Sequence, residues 1–330
     1  MAEYMHLPLR DTKAEIIDKH QWGRYECIKI TKTRDGIFFT QDGERYNLYN
    51  LPAGLVIRGN LNLSNIGLTQ LPDMSKCTIE GRFDCSFNPL TSLAGCPRMV
   101  REFVCEYTDI RDLRGAPKLA ESVYVRHNRL KSLVGAPHTY YDDEDFWREY
   151  PDEPRYLDWP FMEFNCSDNE LTTLSGLPAG WDFIVCDNNN IKSLSALQPH
   201  PLVDSRLFHP CISCANNSLV RLDIDTRFSD VTVRGFNGNP CTKKYAEWFL
   251  QKRGLIKNPT ALDIAAMVEL MSDPDFMADG FMDMDELRIA NRELFNNKKT
   301  FARGATVIKA RTKMATTQKQ ITVAKDDKVH

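Results

Sequence analysis

The sequence has no long hydrophobic run and almost no net charge. No stretch reaches the roughly eighteen consecutive apolar residues of a membrane span. The first twenty residues contain no apolar core of a secretory signal, so we expect a cytoplasmic protein. The formal net charge is -3, from 42 Lys plus Arg against 45 Asp plus Glu. Such a balance gives no overall attraction to nucleic acid or to a membrane surface.

The signature motifs of common enzymes are also missing. The chain contains no Walker loop, GxSxG elbow, HExxH motif or dinucleotide fingerprint. The CxxC from Cys211 to Cys214 has no second CxxC to complete a structural zinc site, although His209 beside Cys211 leaves such a site open. His127 is expected to be a surface residue and not a catalytic base. We therefore predict a protein without enzymatic activity and without a cofactor.

What the chain does contain is internal repetition, at a period of about twenty residues. The shared pattern is apolar-x-apolar-x-x-Asn-x-apolar-x-x-apolar, which predicts a short strand with two inward side chains and one outward side chain. A single copy cannot bury its apolar edge, so the copies must stack. The copies begin at Leu61, Phe83, Phe103, Val123, Phe164, Ile184, Ile212 and, in fading form, Val231.

Three features of the copies have structural consequences. An asparagine amide after each strand can satisfy buried backbone groups of adjacent coils, which predicts a ladder of amides. Five of the ten cysteines fall at one repeated inward position, and the cysteines are expected to be reduced core residues. A Gly-x-Pro sequence follows several of the copies. It predicts that the chain returns to the next strand in an extended form, with few or no helices. The expected ladder is Asn88, Asn128, Asn169, Asn189 and Asn217, whereas the copies with Ile66, Thr108 and Phe236 should be irregular.

These copies resemble the short leucine-rich repeats of bacterial secreted effectors and of related proteins in bacteria and their phages. The resemblance covers roughly residues 51–239 and implies an α/β solenoid, a parallel-β horseshoe with a largely non-helical convex side. It also implies a binding function, such as that of a phage or bacterial modulator of a host protein. Some of those effectors carry a ligase domain with a nucleophilic cysteine. A transferase using Cys241, the only cysteine after the repeats, is therefore kept as a third hypothesis.

Two insertions, residues 138–162 and 198–210, interrupt the repeats at the same phase. They are two repeats apart, and strands are spaced by about 4.8 Å, so they are expected to form one joint surface. The longer insertion is rich in acids and aromatics, a composition typical of a binding loop for a basic partner. The alternative is a loop that folds back onto the solenoid. The predicted partner-binding residues are Tyr140, Tyr141, Asp143, Asp145, Phe146, Trp147, Tyr150, Tyr156 and Trp159, with Tyr124 and Arg126 on the sheet.

The outward strand positions are predicted to line the concave sheet. They are chemically mixed, so the partner is expected to be a protein but its identity does not follow from them. These positions are Asn62, Asp84, Val104, Tyr124, Asn165, Val185 and Ser213.

The sequences on either side of the repeats predict two caps and a basic tail. Residues 1–50 are assigned as an N-terminal β-rich cap, because residues 25–49 alternate around two Asp-Gly turn signals. Residues 240–297 are assigned as a C-terminal helical cap, with helices expected at 243–252, 259–271 and 286–295. The tail from 298 to 330 has nine Lys or Arg against two Asp. It is expected to be a solvated arm, or to dock on an acidic surface or on nucleic acid.

A tail of this kind supports an alternative function. The chain would be a structural subunit of a larger assembly, such as a virion component, and the tail would be its assembly arm.

Residues 275–286 resemble an EF-hand calcium loop. Met277 occupies the third position, where a ligand is expected, and this weakens any site. The alternative is an ordinary acidic connection between helices. The candidate calcium ligands are Asp275, Asp279, Asp283 and Glu286.

Overall fold

The computed structural model describes residues 14–16, 26–139, 162–198, 210–224, 231–271 and 284–295. These residues belong to two compact units. Those up to 170, together with 175–181, form unit 1, and 171–174 with those from 182 onward form unit 2. Both units contain turns of a parallel β-solenoid, about seven in all. The predicted solenoid class is thus confirmed for the described part of the chain.

Unit 1 begins with a four-stranded antiparallel sheet. Its strands are β1 (Ala14–Ile16), β2 (Ile30–Thr33), β3 (Gly36–Gln41) and β4 (Glu44–Asn47), paired in chain order. The turn between β3 and β4 has positive φ at both central residues, 53° at Asp42 and 82° at Gly43. Tight hairpin turns require this backbone, which is why Asp-Gly marks them. This hairpin and the one between β2 and β3 both lie at the Asp-Gly signals, where the sequence predicts them.

Residues just before β2, together with β3, are hydrogen-bonded to the first solenoid coil of unit 1. The Ile28 amide donates to the Asn60 carbonyl at 2.8 Å, and the Asn60 amide donates to the Glu26 carbonyl at 2.9 Å. Gln41 Nε2 on β3 donates to the Val56 carbonyl at 2.9 Å. Backbone groups of the first coil are therefore satisfied by residues that precede it in the chain.

The solenoid part of unit 1 has short parallel strands. They are β5 (Val56–Ile57), β6 (Leu61–Asn62), β7 (Thr78–Asp84), β8 (Met99–Val104), β9 (Ser122–Tyr124) and β10 (Glu163–Asn165). Both β5 and β6 pair with β7, and β7 to β10 pair in succession. Phe83, Phe103, Val123 and Phe164 are in register across β7 to β10 and are fully buried. Because each strand is so short, the core comes from stacking equivalent residues of successive coils.

The described residues of unit 2 include three parallel strands and three helices. The strands are β11 (Phe183–Val185), β12 (Cys211–Ser213) and β13 (Thr232–Gly235). The helices are α1 (Thr242–Lys252), α2 (Ala261–Leu270) and α3 (Met284–Phe295). All three helices occur within the predicted segments, give or take two residues. None of the helices among the described residues is long and apolar enough to cross a membrane.

The returns between strands in unit 1 bring backbones into close contact. At Gly135 (φ 89°) a Cβ atom would lie 2.5 Å from the Leu113 carbonyl oxygen of the preceding turn. At Gly115 (φ 87°) it would lie 2.8 Å from the Ala94 nitrogen. Only glycine fits such an approach, which explains the Gly of the repeated Gly-x-Pro sequence.

The predicted asparagine ladder is confirmed. Asn128 Nδ2 donates to the carbonyls of Cys105 (2.7 Å) and Val125 (3.1 Å). Its Oδ1 accepts from the backbone and hydroxyl of Thr108, both at 2.7 Å. One amide thus satisfies backbone groups of its own turn and of the preceding one. The other expected members make equivalent bonds: Asn88, Asn169, Asn189 and Asn217.

The last coil is irregular, as predicted, but Phe236 does not interrupt the ladder. In the pairing of β12 with β13, Ile212 faces Val233 but Ser213 faces Gly235. This β-bulge adds one residue to the last strand. As a result Phe236 moves to an inward core position, where it is fully buried.

The ladder therefore continues to Asn239. Its Nδ2 donates to the carbonyls of Cys214 (2.8 Å) and Phe236 (2.9 Å), and its Oδ1 accepts from the Leu219 amide (3.0 Å). Two residues later, Cys241 takes the inward position that Leu219 holds in the preceding turn, and it is fully buried.

The cysteines are free, as predicted, and all but one are buried. Cys27 is half-buried, and the nine buried thiols belong to Cys77, Cys85, Cys96, Cys105, Cys166, Cys186, Cys211, Cys214 and Cys241. Burial raises the pKa of Cys85, Cys96 and Cys214 well above the usual thiol value. These thiols are therefore small apolar core groups.

We expect Cys27 alone to react rapidly when the native chain is treated with iodoacetamide. The reactive species is the thiolate of an accessible cysteine, and burial hides the other nine thiols from the reagent. Mass spectrometry after a short treatment should show a single adduct, and none in a Cys27→Ser control. Rapid modification of Cys85 or Cys214 in the folded chain would contradict the assigned core.

Asn128→Leu should lower the free energy of unfolding by at least about 2 kcal/mol, because several buried backbone partners lose their hydrogen bonds. Urea-induced unfolding followed by circular dichroism measures this loss. Asn65→Gly is the matched control, since Asn65 is exposed and has φ 53°, where glycine is unstrained. A loss no larger than that of the control would show that the ladder does not stabilise the solenoid.

Candidate interaction surface

The outward side of the unit 1 sheet carries an ion-pair network instead of apolar side chains. Arg82 on β7 lies 3.0 Å from the carboxylate of Asp84 and 2.8 Å from that of Glu102 on β8. Partial burial raises the pKa of Glu102, and the Arg82 guanidinium opposes that rise. These groups are held in fixed geometry because their side chains are only 14–26% exposed.

The structure places Tyr124 and Arg126, the two predicted partner-binding residues on the sheet, on this same side. The Tyr124 hydroxyl donates to Glu163 Oε2 at 3.0 Å. Burial, followed by the Glu163 charge, raises the pKa of Tyr124. Arg126 Nε donates to Glu106 Oε1 at 2.7 Å, and this bond raises the pKa of Arg126. We call Arg82, Asp84, Glu102, Glu106, Tyr124, Arg126 and Glu163 the charged sheet face.

Two of the residues expected to line the sheet contribute little surface. Val104 is 3% exposed and Asn165 is 8% exposed, so both are covered by their neighbours. In unit 2, the Ser213 hydroxyl donates to the Asp187 carboxylate at 2.8 Å.

One residue of nearly every described turn has a left-handed backbone with φ between 52° and 57°, directly before the ladder asparagine or before Ile66 or Thr108, which stand at the ladder position. L-amino acids other than Asn, Asp and Gly rarely adopt it. In most turns the residue is one of the well-tolerated types, but in three successive turns of unit 1 it is aromatic. The position is occupied by Asn65, Phe87, Tyr107, His127, Asp168, Asn188 and Asn216.

The three aromatic residues form a stacked, exposed column that we call the aromatic ridge: Phe87, Tyr107 and His127. The ring centroids of Phe87 and Tyr107 are 4.7 Å apart, and those of Tyr107 and His127 are 4.4 Å apart. Phe87 is 51% and Tyr107 is 38% exposed, and the His127 side chain is 36% exposed. His127 Nδ1 lies 3.7 Å from the Asp168 carboxylate.

The ridge is not explained by the stability of the fold. A left-handed backbone costs a side chain with a Cβ atom about 1–2 kcal/mol. Contact between two aromatic rings stabilises the fold by only about 0.5–1.5 kcal/mol beyond the effect of the area that they bury. A chain with asparagine at these positions, as at Asn65, would fold equally well. Exposed aromatic rings in a costly backbone are more typical of a contact surface.

Ion pairs lie on both sides of the ridge. Glu106 and Arg126 are on the sheet side, and Asp109 and Arg129 are on the other, with the Asp109 carboxylate 3.2 Å from Arg129 Nε. Beyond Asp109 and Arg129 lies an open groove of about 660 Å³. Its other lining residues are Thr91, Ser92, Arg111, Asp112 and Arg114.

The remaining predicted site residues lie mostly outside the described part of the chain. This holds for His209, for the insertion residues Tyr140, Tyr141, Asp143, Asp145, Phe146, Trp147, Tyr150, Tyr156 and Trp159, and for Asp275, Asp279 and Asp283. Glu286 is described, on α3, with its carboxylate 2.6 Å from Arg253 Nη2. Within the described ranges no group of three or more His, Cys, Asp or Glu is arranged to hold a metal ion.

Cys241, the proposed nucleophile of the transferase hypothesis, is a repeat core residue. Burial raises the pKa of its thiol to about 12. A catalytic cysteine needs an accessible thiolate, and the buried Cys241 thiol provides none at neutral pH.

No family model, no curated protein and no solved structure matches this chain.

The double variant Phe87→Asn with Tyr107→Asn should change the free energy of unfolding by less than about 1 kcal/mol, because relief of backbone strain offsets the lost stacking. Thermal and urea unfolding measure it. As a matched control, Phe103→Asn, which changes a fully buried ring of the same turns, should be strongly destabilising. Comparable losses in the two variants would assign the ridge to folding and not to binding.

Proposed function

We propose that this chain is a non-catalytic binding protein that holds a protein partner through the charged sheet face and the insertion 138–162. The fixed ion-pair network of that face carries the proposal, because charges held in place supply electrostatic specificity. The aromatic side chains of the insertion would supply contact energy.

The charge of the surface favours a basic partner. The charged sheet face has four carboxylates against two guanidinium groups, and the acidic, aromatic composition of the insertion agrees with that sign. Complementary charge steers encounter and excludes partners of the wrong sign.

We further propose that the solenoid belongs to the leucine-rich repeats and that its flanking elements are caps. In unit 2 the α1 residue Tyr245 supports this assignment, because its hydroxyl accepts from the Leu222 amide at 2.8 Å and its ring packs edge-on against Phe236. Asn291 of α3 donates to the Leu222 carbonyl at 2.7 Å. Helices that satisfy backbone groups of the last coils are what a solenoid end requires. The resemblance of the repeats to those of effectors and phage proteins favours a modulator of a host protein.

Glu163→Lys tests the proposal, because Glu163 lies on the charged sheet face but outside the ridge and its flanks. The variant should weaken capture of a basic partner from a bacterial lysate by roughly tenfold or more, since like charges would then meet. Capture is compared for the native chain, for a chain lacking residues 138–162, and for Glu170→Lys. Glu170→Lys is the matched control, with the same charge change at an exposed site paired with Lys131.

The proposal requires that one identified protein be lost with Glu163→Lys and with the deletion, and retained with Glu170→Lys. Circular dichroism must show each bait to be folded. Equal capture by all baits would exclude this face, and the structural-subunit alternative with its basic tail would then take precedence.

A further inference from the structure

The charges that flank the aromatic ridge follow a regular layout. Both acids belong to the turn of Tyr107, and both bases belong to the next turn, that of His127. The flanking acids are Glu106 and Asp109, and the flanking bases are Arg126 and Arg129. On both sides of the ridge the sign of the charge therefore reverses from one turn to the next.

Such a layout is complementary to itself. Consider a twofold axis that lies in the contact plane, perpendicular to the stacking direction, and passes between Tyr107 and His127. Rotation by 180° about this axis reverses the order of the turns. The sheet side of the ridge in one copy then meets the sheet side in the other, and the groove side meets the groove side. Each acid then faces a base of the second copy, and the Tyr107 ring faces a His127 ring. A closed contact of this kind uses the same patch on both molecules.

We propose that the aromatic ridge and its four flanking charges bind a second copy of this chain in antiparallel orientation. Exposed rings form the centre, as in protein contacts generally, and the charges form the rim. Each existing ion pair would join that of the other copy in a network of four charges. This contact shares Glu106 and Arg126 with the charged sheet face. The partner site proposed on that face uses its other residues, which extend away from the ridge: Arg82, Asp84, Glu102, Tyr124 and Glu163.

The groove side limits the extent of the contact. Arg111 and Lys131 occupy equivalent positions on the two turns, and the Lys131 amide donates to the Arg111 carbonyl at 2.9 Å. Under the same twofold axis these like charges would face each other, so the contact must end at Asp109 and Arg129. A contact confined to one ridge buries a small area compared with most protein interfaces. We therefore predict weak and reversible association.

Sedimentation equilibrium of the full chain over a concentration series, at about 0.05 M salt, tests the proposal. The native chain should be in a monomer–dimer equilibrium that weakens as salt is raised. Arg129→Asp makes one rim of the ridge uniformly acidic and should weaken association by roughly tenfold or more. Lys131→Asp, with the same charge change two residues away and off the ridge, should not weaken it. Tyr107→Asn, at a backbone position where Asn is well tolerated, should also weaken it.

The charge-swapped chain, Asp109→Arg with Arg129→Asp, separates this contact from a general effect of charge. It should recover self-association, because the layout remains complementary to itself, but a labelled swapped chain should not associate with the native chain. A native chain that stays monomeric at every concentration would overturn the proposal. So would equal association of Arg129→Asp and Lys131→Asp, or mixed dimers as tight as the parent dimers.

Discussion

The side-chain amide of a buried asparagine holds successive turns of this solenoid together. Strands of two to seven residues leave much of the backbone of each turn without a strand partner, and a buried backbone group without a hydrogen bond is costly. The amide has both donors and an acceptor, so one residue reaches carbonyls of two turns and an amide of the turn before. Apolar burial alone would allow the turns to slide, whereas these bonds fix their register.

The ladder also determines where a surface can be built. The residue before the ladder position adopts a left-handed backbone, and its side chain comes to lie at the protein surface. That position recurs in nearly every described turn. Three successive aromatic residues there stack into the aromatic ridge, and the charges beside them pair across the same two turns. The candidate site therefore follows from the feature that closes the fold.

Most of the fold followed from residue pattern, because the apolar and asparagine positions recur at a fixed spacing and the hairpin turns carry Asp-Gly. The pattern failed at Phe236, where a single bulged residue shifts the frame, since a period counted along the chain does not detect a change of strand register. It also missed the ridge. The repeat pattern is defined by its inward residues, so Phe87 and Tyr107 fall at a position that the pattern leaves variable. Their common spacing of twenty residues was the available signal. Whether Val104 is exposed depends on neighbours that only the folded structure brings together.

The close backbone contact at Gly115 and Gly135 has an evolutionary consequence. The distance between equivalent surface positions is set by main-chain packing and cannot be tuned by substitution. Substitutions can change only the side chain at each of these positions, one turn at a time. A longer or shorter surface requires the gain or loss of a whole turn. Divergent relatives should therefore differ in the identity and number of these positions while sharing a common pitch.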